Sequence, residues 1–434
     1  MVATSNSLPY RSAYPKASFA LFQLTFLMFG LSLLVDAING FFLSGLGVDT
    51  KLSAMFKILL IGMMLYQLGS ISRKALAWSL ITFLLFLAGP LFTFIETLSV
   101  AGFFDDFTSA LRILTTMLAF IYICYCAEKY PEQIDKYGKY ALVFAFLVLI
   151  GNIVLGVLGF GFSSYGNAKQ GEEDAIGIKG FFYAGNEVSG VFVVLYGVIL
   201  HLLWQKKGKL LYLFFSLITL LSGLLIATKA AMMAAALLVF AIPLLNERHR
   251  ILNLTPLKLK LIAPIALVGG TLAIVLIPIF ESTGLLDRFI WFYEKKGVIG
   301  IILSGRDEFI INMMRVFEHY AIISDVIFGI SKTGLGKLTK NAMEIDPIDM
   351  FLWHGLIGLT FFMVISVLFL RISYLATRQV DSMWGPAALI INIVLIGISF
   401  IAGHIFTSGM LAPLFALING LAYMDLIRAR QRVA

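Results

Sequence analysis

The stretch KYALVFAFLVLIGNIVLGVLGF, residues 139–160, decides the fold. After Lys139 it carries no charged residue. Its length suits an α-helix crossing about 30 Å of hydrocarbon, which takes roughly 20 apolar residues. The same pattern recurs along the chain, near 18–38, 52–70, 75–97, 107–127, 185–204, 210–227, 230–246, 261–280, 349–370, 386–405 and 408–425. The 434 residues are 60% hydrophobic and 13% charged, with mean hydropathy +0.93. Soluble domains carry about 25% charged residues. A transmembrane β-barrel would show alternating segments of about ten residues instead. The chain is expected to be an all-α polytopic integral membrane protein, with residues 1–434 as a single transmembrane domain of about 12 helices.

Charge sets the orientation. Arg73, Lys74, Lys129, Lys136, Lys139, Lys206, Lys207, Lys209, Arg248, Arg250, Lys258, Lys260, Arg371, Arg378 and the Arg428–Arg432 tail fall in alternate gaps between spans. The opposite gaps are richer in Asp and Glu. The positive-inside rule then puts both termini in the cytosol. The net charge of +8 is explained by this topology and is no evidence for nucleic acid as a partner. The polar first seventeen residues, with Arg11 and Lys16, precede a run too long for a signal-peptide core, so the first span is read as uncleaved. Cys124 and Cys126 sit two residues apart on one helix, where their side chains diverge and form no easy disulfide. No metal-type Cys/His spacing, nucleotide-binding glycine motif or internal repeat is evident.

Two extracytosolic loops stand out, 161–184 and the larger 281–347. Long loops are commonly functional. In the second, Ser304 is expected to cap a helix starting at Gly305, with Asp307 in its first turn. Ile310, Met313, Met314, Phe317 and Ala321 form an apolar stripe along it, which serves packing.

Ionisable groups inside spans are expensive and usually mark function. Here they share one depth. Lys57 and Arg112 lie about six and five residues in from the outer ends of their spans, under roughly 10 Å. Asp36 and Lys229 sit at outer ends, His354 and His404 in outer halves, and Asn186 and Glu187 open the sixth span. The inner halves hold little beyond His201 and Asp425. Each group also has a plain structural reading. Lys57 and Arg112 can snorkel to headgroups, Arg112 can pair with Asp105, and the histidines can be packing residues. Their common depth points to a cationic cavity open to the outside, suited to a lipid-linked phosphate or pyrophosphate.

Several short motifs stand in order along the second half of the chain: Ser304-Gly305-Arg306, Phe328-Gly329-Ile330, Gly334-Leu335-Gly336, the run from Glu344 to Asp349, and His354-Gly355-Leu356-Ile357-Gly358. Lys179-Gly180-Phe181-Phe182, Gly185-Asn186-Glu187 and Ala402-Gly403-His404 add to them. On these residues the chain resembles the superfamily of O-antigen polymerases and ligases, membrane glycosyltransferases of bacterial envelopes. The likeness covers about residues 100–425 in layout, through short motifs specific only in combination. It implies a reaction without metal, nucleotide or other cofactor, on an undecaprenyl-pyrophosphate-linked glycan, with Arg306 as the leading catalytic residue. Ligases carry a His-Asn before the tenth span where this chain has Glu344, Asp346 and Asp349, and often an Arg where it has Thr228-Lys229. The acidic stretch looks more like the Wzy-type polymerase branch.

The expectation is a polymerase of the bacterial inner (cytoplasmic) membrane, joining lipid-linked repeats at the periplasmic face into O-antigen or a related surface polysaccharide. A carboxylate among Glu344, Asp346 and Asp349 takes the acceptor proton, and Arg306 with Arg112 or Lys179 stabilises the leaving pyrophosphate. Lys57, Lys229, Asn186, Glu187, His354 and His404 line the substrate site. Membrane lipids, a chain-length regulator and a flippase are the expected partners. Two alternatives stand beside it: a ligase passing glycan to lipid A core, and a lipid-linked glycan flippase or transporter. The acidic loop counts against the first. The lack of repeats and of mid-depth charge counts against the second.

Overall fold

In a computed structural model, residues 16–165, 176–183, 185–206, 208–247, 285–338 and 340–433 are described. The chain runs through α1 (Lys16–Leu46), α2 (Leu52–Ile71), α3 (Arg73–Thr97), α4 (Val100–Lys129) and α5 (Pro131–Val157). A hairpin follows, β1 (Phe162–Tyr165) and β2 (Ile176–Gly180), then α6 (Gly185–Gln205), α7 (Lys209–Ile226) and α8 (Lys229–Asn246). Beyond these come α9 (Leu285–Leu303), α10 (Arg306–Tyr320), α11 (Ile323–Phe328) and α12 (Ser331–Leu338). The last three are α13 (Asp346–Thr377), α14 (Gly385–Ile401) and α15 (Ala412–Val433).

Among the described residues, nine helices are long and apolar enough to cross a membrane, α1–α8 and α13. The span read at 261–280 lies outside the described residues. Helix α14 is a shorter apolar helix of 17 residues. The last two spans are displaced from their expected limits, because residues 402–411 leave the helical path. The all-α expectation also needs one amendment. Loop 161–184 holds an antiparallel strand pair, Ser163 opposite Ile178 and Tyr165 opposite Ile176. Asn152 of α5 anchors it, donating to the Lys179 carbonyl (2.8 Å) and accepting from Phe181 N–H (2.8 Å).

Helix starts follow ordinary capping chemistry. Ser72, Ser99 and Thr228 each accept from the backbone N–H three residues on, at 3.1–3.2 Å. Ser304 does not cap α10. It lies at φ 56, Gly305 is the N-cap residue, and the Ser304 hydroxyl accepts from Lys229 Nζ instead (2.7 Å). Of the α10 stripe, Met313 and Phe317 are buried, while Met314 faces outward at 42% exposure.

Polar ties run deeper than the sequence reading expects. Asn392, central in α14, and Asn419 of α15 exchange side-chain hydrogen bonds at 2.8 and 3.1 Å. Asn392 also donates to Ser373 of α13. Gln67 bridges Thr25 and Tyr122 across α1, α2 and α4. Such bonds between helices hold a bundle in register where burying apolar area gives no net drive. Near the opposite end of α14, Asp425 accepts from Ser382, Trp384 N–H and Gly385 N–H.

Helix α13 breaks at Gly355 (φ 61, ψ −152), and Gly329 (φ 78) crosses it there. The released Leu352 carbonyl accepts from Ile330 N–H (2.9 Å). A Cβ on Gly329 would fall 2.4 Å from the His354 nitrogen. Gly329→Ala is therefore expected to destabilise the protein by about 1–3 kcal/mol through overpacking. Thermal unfolding in detergent reads this, and an unchanged Tm would show that the crossing is looser than described.

Candidate functional site

A cavity of about 670 Å³ opens at the end of the bundle that carries the α1–α2 turn, the hairpin and α12. That volume falls in the range of small-molecule sites, about 300–1,000 Å³. Its polar lining includes Asp36, Asp49, Lys51, Lys57, Arg112, Glu187, Lys332 and His404. Tyr183, Trp353, Ile58, Ile61 and Leu111 contribute apolar surface.

One wall is self-compensated. Lys57 pairs with Asp36 at 2.6 Å, the two side chains 14% and 10% exposed, and Ser53 bonds both. Lys57 is thus held by a carboxylate on the neighbouring helix and does not snorkel. Lys51 pairs with Asp49 at 2.6 Å, and Asn39 donates to the same carboxylate.

The lining around Arg112 holds no such ion pair among the described residues. Arg112 on α4 is exposed to the cavity, and among the described residues no carboxylate lies within ion-pair distance of it. The Asp105 pairing is not made. Lys332 lies beside Arg112 on the first turn of α12, with its ammonium 5.5 Å from the Trp353 ring centre. Burial, then the neighbouring Arg112 charge, pushes the Lys332 ammonium below its ordinary pKa, while the carboxylates of Asp105, Asp106 and Glu187 act the other way. Like charges near one another repel; the neighbouring carboxylates offset part of that repulsion, and an oxyanion between the two cations would relieve more.

The position of Lys332 is built locally. Thr333 N–H donates to Asp106 Oδ1 (2.8 Å) and Thr333 Oγ1 to the Gly102 carbonyl (3.0 Å). Thr93 Oγ1 donates to the Ile330 carbonyl (3.0 Å). The start of α12 is thereby bolted to α3 and α4.

Glu187, on the first turn of α6, completes the wall. Its Oε2 accepts from Ser408 Oγ (2.5 Å) and Met410 N–H (3.4 Å). The Arg112 chain lies over the residue between them, since a Cβ on Gly409 would come within 3.0 Å of Arg112 Cγ. Glu187 and Arg112 therefore meet on one turn, residues 408–410.

The remaining sequence candidates fall elsewhere. Arg306 does not line the cavity. It donates to Glu344 Oε2 (2.7 Å) and to the Leu303 carbonyl (3.3 Å). Lys340 takes the other Glu344 oxygen. Although partial burial acts the other way, Lys340 and Arg306 hold the Glu344 carboxyl at a pKa of about 2, which makes it a weak base. Asp346 is fully buried and accepts from Ile405 N–H (2.9 Å) and Phe406 N–H (3.1 Å). Asp349, also buried, accepts from Met343 N–H (2.5 Å) and Glu344 N–H (3.0 Å). Asp349 is committed to backbone through both oxygens, whereas Asp346 is held through Oδ2 and its buried Oδ1 has no hydrogen-bond partner among the described residues. Lys229 holds Ser304 and lies 5.0 Å from the Phe292 ring centre. Lys179 lies 5.8 Å from the Phe162 and Tyr183 rings, its pKa lowered by burial. His354 is buried against Phe86, with ring centres 4.7 Å apart. The side chain of Asn186 lies outside the described residues.

Of the sequence candidates, the cavity thus gathers Lys57, Arg112, Glu187 and His404, and adds Lys332. Lys332 adjoins Gly334-Leu335-Gly336, yet nothing local to that stretch signals its proximity to Arg112. No protein-family model matches the chain, and no curated protein matches it in sequence.

Two outcomes follow. Gly409→Ala pushes on Arg112 and is expected to weaken binding of inorganic pyrophosphate about tenfold, or roughly 1.4 kcal/mol. Calorimetry on protein in lipid vesicles reads this, and unchanged affinity would remove Arg112 from the site. The Glu344 carboxyl has its folded pKa depressed from 4.5 to about 2. Its stabilising contribution is present above 4.5 and fades as pH falls through that interval. The Tm gap between wild type and Glu344→Gln should be open near pH 7 and narrow by about pH 3.

Proposed function

We propose that the chain is a Wzy-type polymerase, joining undecaprenyl-pyrophosphate-linked oligosaccharide repeats into a surface polysaccharide at the periplasmic face of a bacterial inner membrane. The observation that carries the reading is the neighbouring pair Arg112 and Lys332 in the cavity wall, without an ion-paired carboxylate among the described residues. A lipid-linked pyrophosphate is confined by its own tail to the membrane boundary, where such a pair can meet it. Arg112 offers a planar fork of donors and Lys332 a compact charge, a suitable combination for adjoining phosphates.

In the proposed reaction the terminal hydroxyl of one repeat attacks the anomeric carbon of the chain on its carrier. The bond from that carbon to the pyrophosphate oxygen breaks, and undecaprenyl pyrophosphate departs with the bonding electrons. Arg112 and Lys332 stabilise the charge that grows on the leaving oxygen. Arg306, tied to Glu344, secures the segment before α13 rather than contacting the pyrophosphate. The apolar residues Ile58, Ile61 and Leu111 face the isoprenoid chain. A flippase supplies the substrate and a chain-length regulator limits the product in this scheme.

Purified protein in lipid vesicles, given its native lipid-linked repeat, should produce a ladder of evenly spaced glycans without lipid A core. Arg112→Ala and Lys332→Ala should each slow laddering by about 10²-fold or more, the scale of losing one charge-stabilising donor. Arg306→Ala should cost less. A larger loss from Arg306→Ala than from Arg112→Ala would move the anion site to Arg306 and Lys340. Absence of a ladder from wild type with its native repeat would overturn the reading.

A further inference from the structure

The reaction needs a group to take the acceptor proton, and the carboxylates read from the sequence are poorly placed for it. Asp346 and Asp349 are buried on backbone N–H groups, and Glu344 is held between two cations. None of the three lines the cavity.

Among the described residues three carboxylates do line it, Asp36, Asp49 and Glu187. Asp36 and Asp49 are each ion-paired at 2.6 Å, to Lys57 and Lys51. A cation at that distance stabilises the carboxylate and weakens it as a base. Glu187 makes no ion pair within 4 Å among the described residues, and Lys332 acts on it only as a more distant charge. Both its hydrogen bonds, from Ser408 and Met410, fall on Oε2. They fix the orientation of the carboxylate and leave Oε1 without a donor among the described residues. Because Arg112 lies over Gly409, between those two anchors, Glu187 is set beside the proposed pyrophosphate site.

We infer that Glu187 is the catalytic base of the proposed transfer, a role resting on the function proposed above. As the acceptor oxygen bonds to the anomeric carbon and the pyrophosphate leaves, the hydroxyl proton passes to Glu187 Oε1. It is lost to water once the product moves on. Ser408 is a positioning residue, since its hydroxyl holds the carboxylate through Oε2. The other cavity group able to accept a proton is His404, which sits at φ 61 beside Gly403.

The test uses the full chain in lipid vesicles with the native lipid-linked repeat. Laddering rate and binding of undecaprenyl pyrophosphate are measured for wild type, Glu187→Gln, Ser408→Ala and His404→Gln. Glutamine keeps an oxygen acceptor for Ser408 and Met410 but takes no proton. Glu187→Gln is expected to bind the carrier within about threefold of wild type and to ladder about 10²–10⁴-fold more slowly, the contribution of a general base. Ser408→Ala is expected to lower kcat by a smaller factor with KM little changed. Laddering by Glu187→Gln within about threefold of wild type would overturn the assignment, as would loss of carrier binding in step with rate, which marks a structural role. Loss of turnover in His404→Gln with Glu187→Gln active would give the role to His404. Any of these, with a wild-type ladder present, leaves the polymerase reading standing, whereas a wild type without a ladder overturns both.

Discussion

Backbone N–H groups that leave helical geometry in a buried segment must find partners within the protein, and this constraint organises the cavity end of the molecule. Residues 402–411 between α14 and α15 are non-helical and largely buried. Unpaired, each such group would cost several kcal/mol, so irregular backbone at membrane depth survives only where protein satisfies it. Two carboxylates do so here. Asp346 receives the N–H groups of Ile405 and Phe406, and Glu187 receives Met410 N–H and the Ser408 hydroxyl. The bent segment then forms part of the cavity wall, with Thr407, Gly409 and Met410 in its lining.

The same arrangement explains why a census of charges misleads. Depth alone marks Lys57 and Arg112 as equivalent, yet partners on neighbouring helices separate them. Asp36 answers Lys57 across the α1–α2 hairpin, while Arg112 makes no ion pair among the described residues. Arg306 looks prominent at a helix start but is spent on holding Glu344. What remains without an ion pair among the described residues is Arg112 and Lys332, and it is there that a ligand has most to offer electrostatically.

The helices were legible because each apolar run of about twenty residues is a local signal, independent of its neighbours. The breaks were not. Gly355 sits within an expected span, and only the crossing of Gly329 against it shows why the helix opens. Gly329, Gly355 and Gly403, read as motif residues, are sites of close backbone approach. In the site, Glu187, Lys57, Arg112 and His404 were legible through their shared depth in the spans. Lys332 was not, because its place depends on Asp106 and Thr93, which reach it through tertiary bonds. The mid-depth amides Asn392 and Asn419 were also passed over, since neutral side chains leave no mark in a map of charge.

That amide pair has a mechanical consequence. The segment 402–411 is suspended from two points, the carboxylates at its own level and the Asn392–Asn419 clasp deeper in the bundle. Helix α14 is the rod between them, about ten residues or roughly 15 Å long. Were the clasp to slip by one residue, the rod would carry a displacement of about 1.5 Å to the turn that seats Arg112 and Glu187. The stiffness of the cavity wall is therefore set in part at a distance, by two amides that never touch its contents.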